Sequence, residues 1–88
     1  MGTIAARDCL RVLELTEQVV VAGLLSAAQA LDLREADSSF DRAAITPVLA
    51  GMRDSIREQV AKVEEDRPLE ADLRHMLALV RRKHWELY

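Results

Sequence analysis

Apolar residues recur at helical spacing through the first third of the chain. No proline interrupts them and Gly23 is only a weak break, so the pattern predicts one long helix from about Ile4 to Leu33. Its two halves differ. Up to Glu17, the charges of Arg7, Asp8, Arg11 and Glu14 mix with Leu10, Val12 and Leu13, as on a helix with one wet face. From Val19 to Leu31 only Ser26 and Gln29 break an otherwise apolar run. A helix that is hydrophobic around its whole circumference has to be surrounded. Val19, Val20, Val21, Leu24, Leu25 and Leu31 each represent roughly 1.5–3 kcal/mol when fully buried, and two short helices cannot shelter them all. The run therefore predicts an oligomer or a partner chain. Small residues among them, Ala22, Gly23, Ser26, Ala27, Ala28 and Ala30, let neighbouring helices approach closely.

Beyond Asp32 the stretch Arg34 to Ala44 is charged and serine-bearing and reads as a polar connection, with Glu35 an exposed charge in it. Thr46 followed by Pro47 is a helix start, a hydroxyl cap with proline at the first helical position. Val48, Leu49, Met52, Ile56, Val60 and Val63 then follow at helical spacing. Arg67 precedes Pro68 and is biased out of helical geometry, which places the end of this second helix near Glu65 or Asp66. On its wet face Glu58 and Lys62 stand four apart, as an ion pair would. Leu73, Met76, Leu77 and Val80 set a short third helix from about Glu70 to His84. The prediction is an all-α chain, one long apolar helix and two shorter amphipathic ones, forming a single helical segment over residues 1–88 that belongs to a larger bundle.

Composition sharpens this picture. At 88 residues the chain has room for one small core, and only Phe40, Trp85 and Tyr88 are aromatic, so that core is aliphatic. The single Cys9 has no partner for an internal disulfide or a metal pair, which fits a reducing cytoplasm. No apolar run is long enough for a membrane span, and no secretory leader is expected. A net charge of −3 offers no general attraction to nucleic acid or anionic lipid. The basic run Arg81, Arg82, Lys83 suits the C-terminal end of a helix dipole without invoking a phosphate.

Chemistry is harder to find. His75 and His84 have no metal-ligating residue at a pairing distance in sequence, and Gly2, Gly23 and Gly51 are too scattered for a phosphate-cradling loop. Ser26, Ser38, Ser39 and Ser55 lack the context of an activated nucleophile. No catalytic, cofactor-binding or metal-binding residue is expected in this chain. Glu64, Glu65 and Asp66 crowd the expected end of the second helix, where negative charge is unfavourable and a compensating cation, Arg67 or another chain's basic group, is called for.

Three stretches in order resemble the C-terminal end of the aromatic amino acid ammonia-lyase and aminomutase family, which includes histidine ammonia-lyase. They are Met1-Gly2 with Ala5-Ala6-Arg7, the run from Leu24 through Ala27-Ala28-Gln29-Ala30-Leu31-Asp32-Leu33-Arg34, and Glu64-Glu65-Asp66-Arg67-Pro68-Leu69 followed by Asp72-Leu73. The family's electrophilic prosthetic group, MIO, forms from an Ala-Ser-Gly tripeptide, and this chain has none, nor the family's tyrosine and glutamine-glutamate loops. The resemblance therefore implies no catalytic residue here. It implies a small, non-catalytic cytoplasmic subunit completing the helical core of a split ammonia-lyase or aminomutase, with MIO supplied by a larger partner chain. The alternatives are a self-assembling or regulatory helical protein derived from that family, or a fragment of such an enzyme. Its partners would be the larger subunit or further copies of itself.

Overall fold

The computed structural model describes residues 2–87 and is helical, with no strand among the described residues. Helix α1 spans Gly2–Ala36, a single 3-10 turn covers Arg42–Ala44, α2 spans Pro47–Gln59 and α3 spans Glu70–Arg81. At about 1.5 Å per residue α1 is about 52 Å long, nearly the whole 57 Å length of the molecule. The radius of gyration, 15.9 Å, exceeds the roughly 12 Å of a compact chain of this size, because α1 outruns the body packed on it.

That body is an aliphatic cluster in which Val21 and Ala28 of α1 meet Ile56 of α2, Val60 just beyond it, and Met76, Leu79 and Val80 of α3, with Trp85 folded in from the C-terminal tail. Met76 is fully buried. The indole Nε1–H of Trp85 donates to Ser55 Oγ at 2.8 Å, satisfying the one polar atom that this aromatic brings inside.

Thr46 caps α2 as its sequence predicts, its hydroxyl accepting from the Leu49 N–H at 3.3 Å, with Pro47 at the first helical position. The end of α2 differs from the prediction. The helix stops at Gln59, six residues before Glu65, and Val60 is extended. The cause is Gln29 of α1. Its amide brackets the backbone of Val63, donating to the carbonyl at 2.8 Å and accepting from the N–H at 3.1 Å. Arg67 donates to the Ala61 carbonyl at 2.8 Å and pairs with Asp72, and Arg57 donates to the Val60 carbonyl at 3.3 Å. Distant side chains thus satisfy backbone groups that two more helical turns would have used. Lys62 consequently no longer lies one turn along a helix from Glu58, and the exposed Glu64, Glu65 and Asp66 do not crowd a helix end. Replacing Gln29 with Leu removes both bonds to Val63 and is expected to destabilise the chain by about 1–2 kcal/mol, read as a lower urea midpoint with unchanged slope.

The third helix also closes earlier than its apolar spacing suggests, at Arg81 rather than His84. Lys83 adopts a left-handed conformation, φ 54°, the Lys83 N–H donates to the Val80 carbonyl and the His84 N–H to the Leu79 carbonyl. This paired closure turns the chain back so that Trp85 reaches the core.

The expected polar connection begins later than predicted, since α1 runs through Arg34, Glu35 and Ala36. Glu35 is no idle surface charge. It accepts from Arg53 of α2 at 2.6 Å, while Arg57 of α2 donates through Nε to Asp32 of α1 at 2.7 Å. These groups are mostly covered, and α1 and α2 are clamped by them. The hydrogen bonds to Glu35 and to Asp54 hold the Arg53 guanidinium more firmly in its charged form. Arg57 Nη2 is buried and sits 2.6 Å from Asp32 Oδ2 without a well-directed hydrogen bond, so the Asp32 charge is its main compensation. Asp32→Ala is expected to lower stability by about 1–3 kcal/mol, discounted for partial exposure, as thermal unfolding would register. Past α1, Asp37 accepts from both the N–H and the hydroxyl of Ser39, which holds its carboxyl below the usual carboxylate range.

Candidate functional site

The residues singled out for chemistry are scattered. Cys9 is exposed on the projecting part of α1. His75 sits on α3 with Nε2 3.0 Å from Gln59 Oε1, and His84 packs edge-on against Trp85 with ring centres 5.1 Å apart. Among the described residues, no three His, Cys, Asp or Glu side chains cluster as metal ligands would. Arg81 donates to Glu17 at 2.6 Å, so the first cation of the basic run ties α3 to α1. The run sits at the end of α3, where positive charge complements the helix dipole. No helix among the described residues is long and apolar enough to cross a membrane.

What the structure assembles is a surface. Leu24, Ala27, Leu31, Leu49 and Met52 line a shallow, mainly aliphatic cleft between α1 and α2, with Arg34 and Arg53 as its charged lining. The greater feature is α1 itself. Successive residues turn by 100°, so Val21, Leu24, Ala28 and Asp32 face the body, whereas Val12, Val19, Gly23, Ser26 and Ala30 face away from it. Val19 is 71% exposed and Val12 60%.

On the projecting half the apolar residues extend still further around the helix. Leu10, 61% exposed, and Leu13, 54% exposed, lie on the same side as the body but beyond its reach. Arg7, Arg11, Glu14 and Gln18 form a polar strip, with Arg11 and Glu14 paired at 3.1 Å. Around the rest of the helix Ile4, Leu10, Val12, Leu13, Leu15 and Val19 stay exposed on more than one side, interrupted by Asp8, Thr16 and Glu17, so they spread beyond the roughly 100° stripe that a surface helix turns towards one core. The sequence located the excess hydrophobicity at Val19 to Leu31. The structure moves much of it towards the N-terminal half, because α2 and α3 cover one side of the later run and no described residue outside α1 covers Ile4 to Leu15. Met1 of the Met-Gly opening lies outside the described residues.

Gly23 belongs to this uncovered surface. Glycine inside a helix is disfavoured by roughly 0.5–1 kcal/mol relative to alanine. Beyond its chain neighbours and the backbone of its own helix, a Cβ placed there meets no atom of the described residues within 4 Å.

Comparison with known proteins gives a consistent direction. The chain is 40% identical over 83 residues to a histidine ammonia-lyase of Natranaerobius thermophilus, a match covering 91% of this chain. It is 32% identical over 73 residues to histidine ammonia-lyase 1 of Fusobacterium nucleatum, covering 83% of this chain. The chain spans 15% and 13% of the lengths of these relatives. No family profile and no solved structure matches it.

Proposed function

The chain carries a segment of histidine ammonia-lyase family sequence, and from that premise we propose that it is a small, non-catalytic cytoplasmic subunit completing the helical core of a split ammonia-lyase or aminomutase. A larger chain carries the chemistry. The observation that supports this reading is the uncovered apolar surface of α1, which requires helices that the chain does not have.

The chain lacks the Ala-Ser-Gly tripeptide, and on this reading the larger chain supplies the prosthetic group and the reacting groups. Its contribution is mechanical. By burying Leu10, Leu13 and their neighbours it lets catalytic groups on other chains be held in fixed positions, the condition under which positioning lowers a barrier.

The test is co-expression of a tagged chain with the candidate larger chain, followed by native mass measurement and assay of ammonia release. A complex of both chains that releases ammonia from histidine, phenylalanine or tyrosine is the expected result. The isolated chain should release none from any of the three. A larger chain that assembles and works equally well without this one would overturn the proposal.

A further inference from the structure

The connection from α2 to α3 has two alternative sets of hydrogen-bond partners, and we infer that it is a conformational switch. Gln29 of α1 holds residues 60–63 extended, and its release lengthens α2 by one turn through Val63. The switch needs no larger subunit, so its absence would leave the proposed function standing.

The end of α2 is open. Where α3 closes on left-handed Lys83, α2 has no such residue and runs straight into extended Val60, φ −136° and ψ 128°. The Val60 N–H still donates to the Ile56 carbonyl at 2.9 Å, as the next helical residue would. No backbone N–H of the described residues donates to the carbonyls of Arg57, Glu58 or Gln59. Those are the acceptors that the N–H groups of Ala61, Lys62 and Val63 would use one turn further on. The Val63 N–H thus has two acceptors to choose from, the Gln29 side chain that holds it at 3.1 Å and the Gln59 carbonyl.

The residues of the connection suit a helix as well as a strap. No proline or glycine occurs between Gln59 and Pro68. Val60 stands four residues beyond Ile56 and Val63 seven, so a longer α2 keeps both on the face that buries Ile56 and brings Lys62 one turn from Glu58. The extended form is propped rather than packed. A partly open cavity of about 250 Å³ lies between Leu25, Ser26 and Gln29 of α1 and Val60, Ala61 and Leu69 of the connection. Reach is not lost either. From Val63 to Glu70 the chain can still span roughly 23 Å at about 3.3 Å per residue, comparable with the 28 × 20 Å section of the molecule, so α3 can keep its place.

Two features hold the extended form. Gln29 supplies both bonds to Val63, and Arg67 supplies the bond to the Ala61 carbonyl. Exposed Glu64, Glu65 and Asp66 would stand just past the lengthened helix, where its dipole repels negative charge. A contact that engages the Gln29 amide therefore lengthens α2 and carries this acidic triplet with it.

Amide hydrogen exchange and Cα chemical shifts of the 88-residue chain test the switch, with the near-UV signal of buried Trp85 confirming the fold. In the wild type Ala61 and Lys62 should exchange nearly unprotected and Val63 slowly. Gln29→Leu should raise the protection of Ala61 and Lys62 roughly tenfold, keep Val63 protected and give residues 60–63 helical shifts. The triple substitution Glu64→Gln, Glu65→Gln and Asp66→Asn, confined to exposed side chains, should raise the same protection about twofold with Gln29 in place. The switch is disproved if Ala61 and Lys62 stay as unprotected in a folded Gln29→Leu chain as in the wild type, whether or not Val63 loses its protection. It is equally disproved if the neutralised chain exchanges as the wild type does.

Discussion

Met76→Asp is expected to leave the chain unfolded at 25 °C, with helical circular dichroism lost and no cooperative melting transition. Met76 is fully buried where Val21, Ile56 and Val80 converge, and no basic side chain belongs to that cluster. A chain of 88 residues has a total stability of about 4–13 kcal/mol. Removing the thioether side chain alone forfeits about 2–5 kcal/mol, and placing an unpaired carboxyl group in the same apolar space adds several more. The sum is comparable with the whole stability of the fold. Met76→Leu, which nearly conserves volume, should cost less than about 1.5 kcal/mol and retain a sharp transition. If the aspartate variant melted cooperatively near the wild-type temperature, the core described here would be wrong.

The double substitution Leu10→Asp with Leu13→Asp should do the opposite, keeping the fold and abolishing assembly with the larger chain. Both residues are more than half exposed and touch none of the buried cluster, so their loss costs the isolated chain little. In the proposed complex each leucine represents roughly 1.5–3 kcal/mol of burial, and each new carboxylate in a helical interface adds a desolvation cost. At about 1.4 kcal/mol per decade, affinity should fall by two orders of magnitude or more. Co-purification and ammonia release would both be lost, while helix content stays at the wild-type level. Glu58→Gln, on an exposed face of α2, serves as the neutral control. Glu35 and Leu24 would be poor choices for such a test. Glu35 holds Arg53, and Leu24 packs against the core, so changing either would disturb the fold as well as the contact.

Much of this protein was legible in its residues. Proline-free helical spacing in α1, the Thr46-Pro47 start of α2 and the apolar i, i+3, i+4, i+7 set of α3 are local properties. Each element's type and start followed from backbone preference and periodicity alone. The absence of chemistry-bearing motifs and the likeness to ammonia-lyases were equally matters of sequence, since both depend on which residues are present. The places where local reasoning stopped short share one physical cause. Residues 60–66 keep a helical hydrophobic pattern, yet they leave the helix because Gln29 and Arg67 satisfy the backbone of Val63 and Ala61. Glu35 looked solvated until Arg53, eighteen residues away, came within 2.6 Å of it. The third helix ended at Arg81 so that Trp85 could be buried. Spacing along one helix reports which residues share a face, but it carries no information about partners far along the chain. Only packing decided which side of α1 the body covers, and with it which apolar side chains remain for another chain to bury.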